Sequence, residues 1–293
     1  MKLTQVIVLG FLFCFVFSWW DNSHMIIIEI ASRNLTTTQK NKILDILSTW
    51  EPDFPGDLYG AAVWADKIKS PPIKIDSMAG WHFADLVYNP DNIKVNYTLP
   101  PGNVIAECQQ ALDTLEDNSC TSVWAWAFQL RQLFHFVGDI HQPFHCIDLF
   151  SKQFPDGDRG GNEFKLKGDA SYDSSLHFFW DAAGGEYVTN YPLTQSEIND
   201  LVANATEIMK KYPVSYFKGR FSPTDFDFNR WANESYSAAV KYGYTDIEPN
   251  TYPSSSYTSR CFEISQEQIA IAGYRLGACI LKVINNAPDV NWE

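Results

Sequence analysis

One stretch of the sequence joins a strongly apolar helix to a dense group of polar side chains. Residues 123–133 contain few helix breakers and are apolar on nearly every side, which predicts a buried helix. The next twelve residues, 134–145, contain three of the six histidines of the chain. His135 and Asp139 stand four positions apart and share one face of the predicted helix. The fold must therefore provide polar or metal partners for His and Asp side chains that lie on a buried helix.

The end of this helix brings a further histidine towards the same region. Pro143 cannot continue a regular helix without losing a hydrogen bond, so we predict that the helix bends or ends near Gln142. His145 then approaches the cluster from a different direction. Imidazole and carboxylate groups that converge from a helix and the following turn are typical of a zinc site. The alternative is a helix end with a few hydrogen-bonded histidines, because local His/Asp spacing recurs by chance.

A second part of the sequence repeats the same spacing. His177 and Asp181 are again four residues apart, and two such pairs are less expected by chance than one. Further histidines and aspartates occur earlier in the chain, and five of the six histidines enter the candidate set. In chain order, the candidate metal ligands are Trp19, His24, Asp66, His82, His135, Asp139, His145, His177 and Asp181.

The amino-terminal residues have the pattern of a secretory signal. Lys2 gives a short basic start, residues 6–17 are continuously apolar, and this run is too short to span a bilayer comfortably. We predict that residues 1–18 are a signal peptide and that Trp19 becomes the new amino terminus. The predicted location is outside the cell or in the lumen of the secretory or lysosomal pathway. Four sequences that fit the N-glycosylation pattern agree with export, at Asn34, Asn96, Asn204 and Asn233.

The cysteines of an exported protein are expected to form disulfides. Cys14 would leave with the signal, and an oxidising compartment would pair up to four of the remaining five cysteines. Three connectivities stay open for any four of them. The remaining cysteines are Cys108, Cys120, Cys146, Cys261 and Cys279.

The rest of the chain predicts an all-α fold with one domain over residues 19–293. Strand-like alternation does not persist beyond a few residues outside the region 148–175, which we predict to be a loop or hairpin over the site rather than core. The remaining helical segments are predicted at 25–31, 38–50, 64–69, 104–115, 196–212, 228–242 and 266–285.

The charge of the chain argues against one class of function. A formal net charge of −13 is unsuited to tight binding of duplex nucleic acid through neutralisation of its phosphates. It does not exclude an enzyme whose positive charge is concentrated in bound metal ions.

The order of these motifs resembles one protein family over nearly the whole predicted mature chain. Trp-x4-His occurs at Trp19 and His24, Trp-Ala-Asp ends at Asp66, and His-Phe begins at His82. The sequence His-x3-Asp-x-His-Gln-Pro-x-His begins at His135, and Asp-x-Gly-Gly-Asn and Leu-His-x-x-Trp-Asp follow it. The chain thus resembles the zinc-dependent, single-strand-specific class I nucleases, also called the 3′-nucleotidase/nuclease family, which are similar in fold to bacterial zinc phospholipase C.

The resemblance implies three zinc ions in an all-α fold. One ion would be held by Asp66, His82, His135 and Asp139, and a second by His145, His177 and Asp181. The third would be held by His24, Asp139 and the α-amino and carbonyl groups of Trp19. Asp139 would bridge two ions, which suits a carboxylate with two oxygens. The third set would be complete only after cleavage before Trp19.

The resemblance also assigns catalytic and substrate-binding residues. Asp66, Lys69 and Asp139 would be catalytic, although Lys69 stands where the family commonly has Arg and cannot offer a bidentate fork. Phe83 would stack a base and Asp85 would bind its edge, while the alternative for Phe83 is a core aromatic residue. Gly160, Gly161 and Asn162 would line the same pocket.

Together these features predict a secreted, monomeric enzyme with three Zn²⁺ that cleaves single-stranded RNA and DNA. The products would carry 5′-phosphates, the attacking hydroxide would be generated at the metal ions, and 3′-nucleotides would also be substrates. The first alternative is a zinc phospholipase C of the same architecture. That family resembles this chain less at the last ligand pair, where it has His-x3-Glu rather than His-x3-Asp. The second alternative is a secreted zinc-binding protein without activity.

Overall fold

The computed structural model describes residues 19–290 and shows a mostly helical protein. The all-α prediction is therefore confirmed, while the predicted signal peptide, residues 1–18, lies outside the described residues. Two short strands are also present, β1 (Val87–Tyr88) and β2 (Asp148–Leu149). The α-helices of the described range are α1 (Asp21–Ser32), α2 (Thr37–Ser48), α3 (Leu58–Lys67), α4 (Val104–Glu116), α5 (Val123–Asp139), α6 (Leu176–Asp181), α7 (Gln195–Lys211), α8 (Phe228–Ala238) and α9 (Ser255–Val283).

Helix α1 lies in the interior because it is apolar on most of its surface. All its residues except Glu29 are buried, and it packs against α9, α3 and α7. Gly273 permits the close approach of α9, since a Cβ atom at that position would lie 2.5 Å from Ile30 Cγ2. The helix predicted at 25–31 is confirmed.

Helix α5 is the other central helix and leads directly to the predicted cluster. The hydroxyl of Ser122 caps it by accepting from the backbone N–H of Ala125 (3.3 Å). From Leu130 to Asp139 every residue of α5 is buried. The chain then leaves the helix and forms a 3₁₀ turn over Pro143–His145. The predicted end of the helix near Gln142 is confirmed.

Some helix boundaries differ from the predicted ones. Helix α9 begins at Ser255 rather than at residue 266, because Ser254 caps a first stretch whose many Ser and Thr residues concealed the helical spacing of Tyr257 and Cys261. Helix α3 begins at Leu58 rather than at residue 64, with Asp57 as its cap. Helix α8 ends at Ala238, and a π-helical turn continues to Gly243.

The region 148–175 is mostly loop beside the candidate site, as predicted, but it differs from the prediction in two respects. It forms no hairpin of its own, because β2 pairs in parallel with β1. It also contributes to the core: Leu149, Phe164 and Leu166 are buried in an apolar cluster with Phe144. The expectation that this segment lies outside the core was therefore wrong, since its apolar residues were too widely spaced to reveal a common partner.

The cysteines differ from the predicted pairing as well. Cys108, Cys120, Cys146, Cys261 and Cys279 are all free thiols, and all except Cys120 are buried. A buried thiol packs as a small apolar side chain, and the Cys146 thiol also donates to the Ile140 carbonyl oxygen (3.4 Å).

The candidate glycosylation sites differ in exposure. Asn34, Asn96 and Asn233 are exposed, whereas Asn204 is partly buried in α7. Glycosylation at these positions remains a prediction.

Candidate metal centre

Eight of the candidate ligands converge from separate parts of the fold. Each of these eight side chains is at most 9% exposed, and Trp19 is fully buried beside them. Ligands thus come from four helices and two 3₁₀ turns. They are His24 of α1, Asp66 of α3, His82 of the turn Ala79–His82, His135 and Asp139 of α5, His145 of the turn Pro143–His145, and His177 and Asp181 of α6.

Four of these side chains surround one point. Asp66 Oδ1 lies 3.6 Å from both His82 Nδ1 and His135 Nε2. Asp139 Oδ2 lies 2.9 Å from His82 Nδ1 and 3.2 Å from His135 Nε2. Donor atoms bound at about 2.1 Å to a tetrahedral ion are separated by about 3.4 Å, so this spacing suits a zinc-sized cation.

The second oxygen of Asp139 faces other ligands. Asp139 Oδ1 lies 3.4 Å from His24 Nε2 and 3.5 Å from His145 Nδ1. Gly138 makes room for His24, because a Cβ atom at that position would lie 2.5 Å from His24 Nδ1. Asp139 Oδ2 therefore faces His82 and His135, whereas Oδ1 faces the His24 Nε2 atom, and two oxygens that face different imidazoles are what a bridging carboxylate needs.

A separate set lies at α6. His145 Nε2 is 3.5 Å from Asp181 Oδ1, and His177 Nε2 is 3.4 Å from Asp181 Oδ2. The rings of His145 and His177 stack with centroids 4.9 Å apart. These three residues form the group that the resemblance assigned to one ion.

The described residues contain three groups whose donor atoms could hold a metal ion. His145, His177 and Asp181 form one group as expected, whereas the other two share His135. One of them joins His135 to His82 and Asp139, and the other joins it to His24 and Asp66. The structure therefore brings all eight side chains together but interleaves two of the expected sets.

Backbone carbonyls fix the orientation of three histidine rings. The Nδ1 atoms of His135, His145 and His177 lie 2.7 Å, 2.9 Å and 2.7 Å from the carbonyl oxygens of Ala62, His82 and Gly160, respectively. A carbonyl only accepts, so Nδ1 carries the proton and Nε2 presents its lone pair to the carboxylates. This is the outer hydrogen bond that metal-binding histidines usually make.

The buried acceptors of this cluster fit a bound cation. His145 Nε2 and Asp181 Oδ2 are buried and have no hydrogen-bond partner. A lone pair on His145 Nε2 facing a carboxylate is repelled unless a proton or a cation lies between them. Imidazole and carboxylate donors at this spacing suit zinc, so the residues present fit such an ion.

The charges of the cluster shift the pKa values in opposite directions. Burial opposes ionisation of Asp66, but Lys69 and His135 hold its pKa well below the usual range. Burial likewise disfavours the charged form of His135, but Asp139 and Asp66 raise its pKa to about 10. Burial and Lys69 lower the pKa of His82 to about 4. Without a cation, His135 therefore holds a second proton, on Nε2, near neutral pH, and a bound cation would replace it.

Lys69 contacts the cluster directly. Its Nζ lies 2.6 Å from Asp66 Oδ1, and its side chain is only 12% exposed. A partly buried ammonium group at this position adds positive charge beside the metal ligands.

A cavity of about 330 Å³ lies next to this cluster. The expected substrate residues Phe83, Asp85 and Asn162 line it, and so does His177. Gly160 and Gly161 have φ values of 60° and 81° and form its neighbouring turn, but they do not line the cavity itself. The cavity is also lined by residues that the sequence did not single out: Tyr97, Phe144, Asp148, Asp156 and Arg159.

Different signals existed for these additional residues. Arg159 lies inside the Asp-x-Gly-Gly-Asn motif and could have been included with it. Tyr97 comes from an irregular segment with no local pattern, so its place in the lining of the cavity could not be inferred. Acidic residues near the cavity affect Asp85. Burial, together with the negative charges of Asp148 and Asp158, raises the pKa of Asp85 to about 8.

His141 does not face the ligands. Its Nδ1 donates to the Val137 carbonyl oxygen (2.7 Å), and its Nε2 accepts from Arg275 Nη1 (2.8 Å). Arg275 Nη2 also donates to both oxygens of Glu234, at 3.0 Å and 2.9 Å. Gln268 Nε2 donates to the His141 carbonyl oxygen (2.8 Å). This buried network holds the chain directly after Asp139.

The fold and the site define an all-helical protein built around a buried cluster of metal-ligand side chains. The chain belongs to the S1/P1 nuclease family, whose model matches residues 19–285. It is 24% identical over 301 residues to Endonuclease 4 of Arabidopsis thaliana, covering 97% of this chain and 95% of that protein. It is 26% identical over 279 residues to Nuclease S1 of Aspergillus oryzae, with 89% and 90% covered. The resemblance seen in the sequence is thus confirmed, and the protein is a hydrolase of the nuclease class.

Within residues 19–290, none of the helices combines the length and apolar character needed to cross a membrane.

Proposed function

We propose that this protein is a secreted trinuclear-zinc phosphodiesterase that cleaves single-stranded RNA and DNA to 5′-phosphorylated products. The observation that carries the proposal is the convergence of eight buried His and Asp side chains, in which four histidines surround Asp139 and two surround Asp181. We further propose 3′-nucleotidase activity, because a 3′-phosphate presents the same ester bond.

In this proposal three zinc ions occupy the sets described above, with Asp139 shared between two of them. Bound zinc would supply Lewis acidity, polarising a phosphate ester and lowering the pKa of water. Three Zn²⁺ and three aspartates would leave a local excess of about three positive charges, which attracts a phosphate to an otherwise acidic protein.

The third set needs the chain to begin at Trp19. The Trp19 indole donates to the Gly138 carbonyl oxygen (3.0 Å), and the backbone N–H of Trp20 donates to the Asp181 carbonyl oxygen (3.1 Å). These contacts support an amino terminus held beside Asp139. A free α-amino group at Trp19 would then complete the set with His24.

The neighbouring cavity would select single strands. Phe83 and Tyr97 supply aromatic rings, and Asp85 and Asn162 supply polar groups for the edge of a base. Stacking on such a ring contributes about 1–3 kcal/mol per base and requires a base that has left the duplex. Lys69 would donate positive charge towards the transferred phosphate, in the place of the arginine common in the family.

Activity assays on protein that begins at Trp19 test this proposal. We expect release of 5′-phosphorylated products from single-stranded RNA and DNA, and of phosphate from 3′-AMP. A chelator should abolish both activities and zinc should restore them. Release of phosphocholine from phosphatidylcholine without nucleic-acid cleavage would instead identify a phospholipase, and zinc binding without either activity would identify an inactive binding protein.

Export, glycosylation and the monomeric state belong to the same proposal. The exposed positions of Asn34, Asn96 and Asn233 support modification in the secretory pathway. Glycosidase treatment of protein secreted by a eukaryotic host, followed by mass measurement and light scattering, tests all three.

A further inference from the structure

An aromatic groove lies on the surface at one end of α5, apart from the metal ligands and from the cavity beside them. It encloses about 400 Å³. Five aromatic rings line it, together with Thr49, Glu51, Asp53, Ile75 and Met78. The five rings are Trp50, Phe54, Trp64, Trp124 and Phe128.

One ring of the groove is unusually open to solvent. The Trp124 side chain is 63% exposed and belongs to a contiguous aromatic surface, which is a more informative feature than a single exposed apolar residue. Its other contacts fix it in place: it stacks on Phe128 with an interplanar angle of 7° and lies 5.1 Å from the Trp50 ring. The Trp124 indole is therefore packed against two rings while more than half of its surface is open to a ligand.

The charged side chains that line the groove are all acidic. Glu51 and Asp53 line it and are exposed, and no lysine or arginine stands among the described residues of its lining. Phosphates of a nucleic-acid strand would be repelled here, so the groove is unsuited to extending the nuclease substrate. A cation, in contrast, would be attracted both by the carboxylates and by the electron-rich ring faces.

On its buried side, the aromatic cluster already packs against a positively charged arginine. The Arg131 guanidinium lies 4.5 Å from the centroid of the Trp50 ring, and its hydrogen bonds go to backbone carbonyl oxygens. Its positive charge makes Trp50 a poor place for a second cation. The outer site is therefore expected on Trp124, between its exposed face and the two carboxylates.

We infer that the aromatic groove binds a small, free organic cation of the alkylated ammonium type. Such a cation matches the aromatic faces, the acidic rim and the absence of a positively charged residue among the described lining side chains. A phospholipid headgroup fits less well, because its phosphate would approach Glu51 and Asp53. The site is independent of the metal centre and goes beyond the proposed nuclease activity.

Calorimetric titration of the whole protein that begins at Trp19 with choline tests the inference. Each contribution of an exposed cation–π contact is small, so we expect a dissociation constant on the order of millimolar. The matched neutral probe is 3,3-dimethylbutan-1-ol, which has nearly the same shape. We expect it to bind at least about tenfold more weakly than choline, which corresponds to about 1.4 kcal/mol. Equal binding of the two probes would overturn the inference.

Three variants locate the site. Trp124→Ala should remove choline binding, and Tyr252→Ala, which truncates another exposed aromatic residue, should not change it. The double variant Glu51→Gln with Asp53→Asn keeps the shape of the rim, and the amide oxygen can still accept from Gly56 N–H, as Glu51 does at 3.1 Å. It should weaken choline binding by about tenfold or more. Choline binding that survives in both groove variants would contradict the proposed site.

Other occupants give different results. Phosphocholine or phosphatidylcholine vesicles that bind more tightly than choline would replace the free cation by a lipid headgroup. An oligonucleotide that competes with choline, or a dimer that Trp124→Ala dissociates, would also overturn the inference. Zinc content and nuclease activity of the Trp124→Ala variant should remain those of the parent protein, which separates this test from that of the proposed function.

Discussion

At the scale of single residues, Asp139 is the side chain on which the proposed site depends most. Its two carboxylate oxygens face different histidines, with His82 and His135 on one side and His24 and His145 on the other. An amide at this position would present one oxygen and one NH2 group, whose two N–H bonds only donate. The N–H group cannot bind a cation, so only one side could keep a ligand.

Replacement of Asp139 by Asn should therefore remove bound zinc and lower kcat/KM on single-stranded RNA by at least about 100-fold. Metal analysis of the purified variant and initial rates provide the measurement. Asp113→Asn is a control on the exposed surface of α4. Three zinc ions per chain in the Asp139 variant would contradict the bridging role.

The proton on His135 gives a prediction about pH. Its pKa is raised to about 10, so the metal-free protein retains this proton below pH 10 and zinc must displace it. Zinc affinity should thus increase by about tenfold per pH unit between pH 7 and 9 for each proton released. Calorimetry in buffers of different ionisation enthalpy measures the release of at least one proton. Heats that do not depend on the buffer would disprove it.

At the scale of elements, the site depends on how closely α1 approaches α5. Gly138 is the contact point, because any Cβ atom there would overlap His24. Small residues at such crossings set the distance between helices, and the ligand atoms follow that distance.

Gly138→Ala should separate the two helices and displace His24. We expect a loss of about 1–3 kcal/mol in the free energy of unfolding, together with loss of one zinc ion. Chemical denaturation and metal analysis measure the two effects. Gly80→Ala is the matched control, since its Cβ would meet no atom closer than 3.8 Å. Equal effects of the two substitutions would contradict this interpretation.

The buried network around His141 fixes the chain between the candidate ligands Asp139 and His145. Arg275→Gln would remove the buried one of three arginines that pair with Glu234, since Arg220 and Arg230 remain, and it would remove the donor to His141 Nε2. The free energy of unfolding should fall by about 1–3 kcal/mol through the lost hydrogen bonds, and zinc affinity by about tenfold through displacement of the turn that carries His145. Thermal unfolding with and without chelator separates the two losses. Unchanged zinc affinity in the folded variant would limit the network to a role in stability.

At the scale of the whole molecule, local patterns predicted some features and could not predict others. The buried helices α1 and α5 were evident because apolar side chains surround them. The contact between His141 and Arg275 joins residues 134 positions apart, and no local spacing indicates it. Tyr97 also lines the cavity without any local sequence signal, because it lies in a segment without regular structure. The motifs thus predicted the candidate ligands that the fold brings together, whereas the supporting contacts could be found only in the structure.

The position of the amino terminus makes a prediction for the entire chain. Protein that begins at Trp19 should bind three zinc ions, and protein with one extra alanine before Trp19 should bind two, because the α-amino group is then displaced. Native mass spectrometry gives the count directly. Three zinc ions in the extended protein would show that the terminal amine is not a ligand.

The burial of Trp19 has a consequence for the cell that makes the protein. Its indole is fixed to Gly138 inside the fold, so the bond that must be cut to free its amino group becomes difficult to reach once the chain has folded. Under the proposed cleavage, the order of events matters: a chain that folds first would stay short of one ion. Cleavage before the chain folds would then be a condition for a complete site.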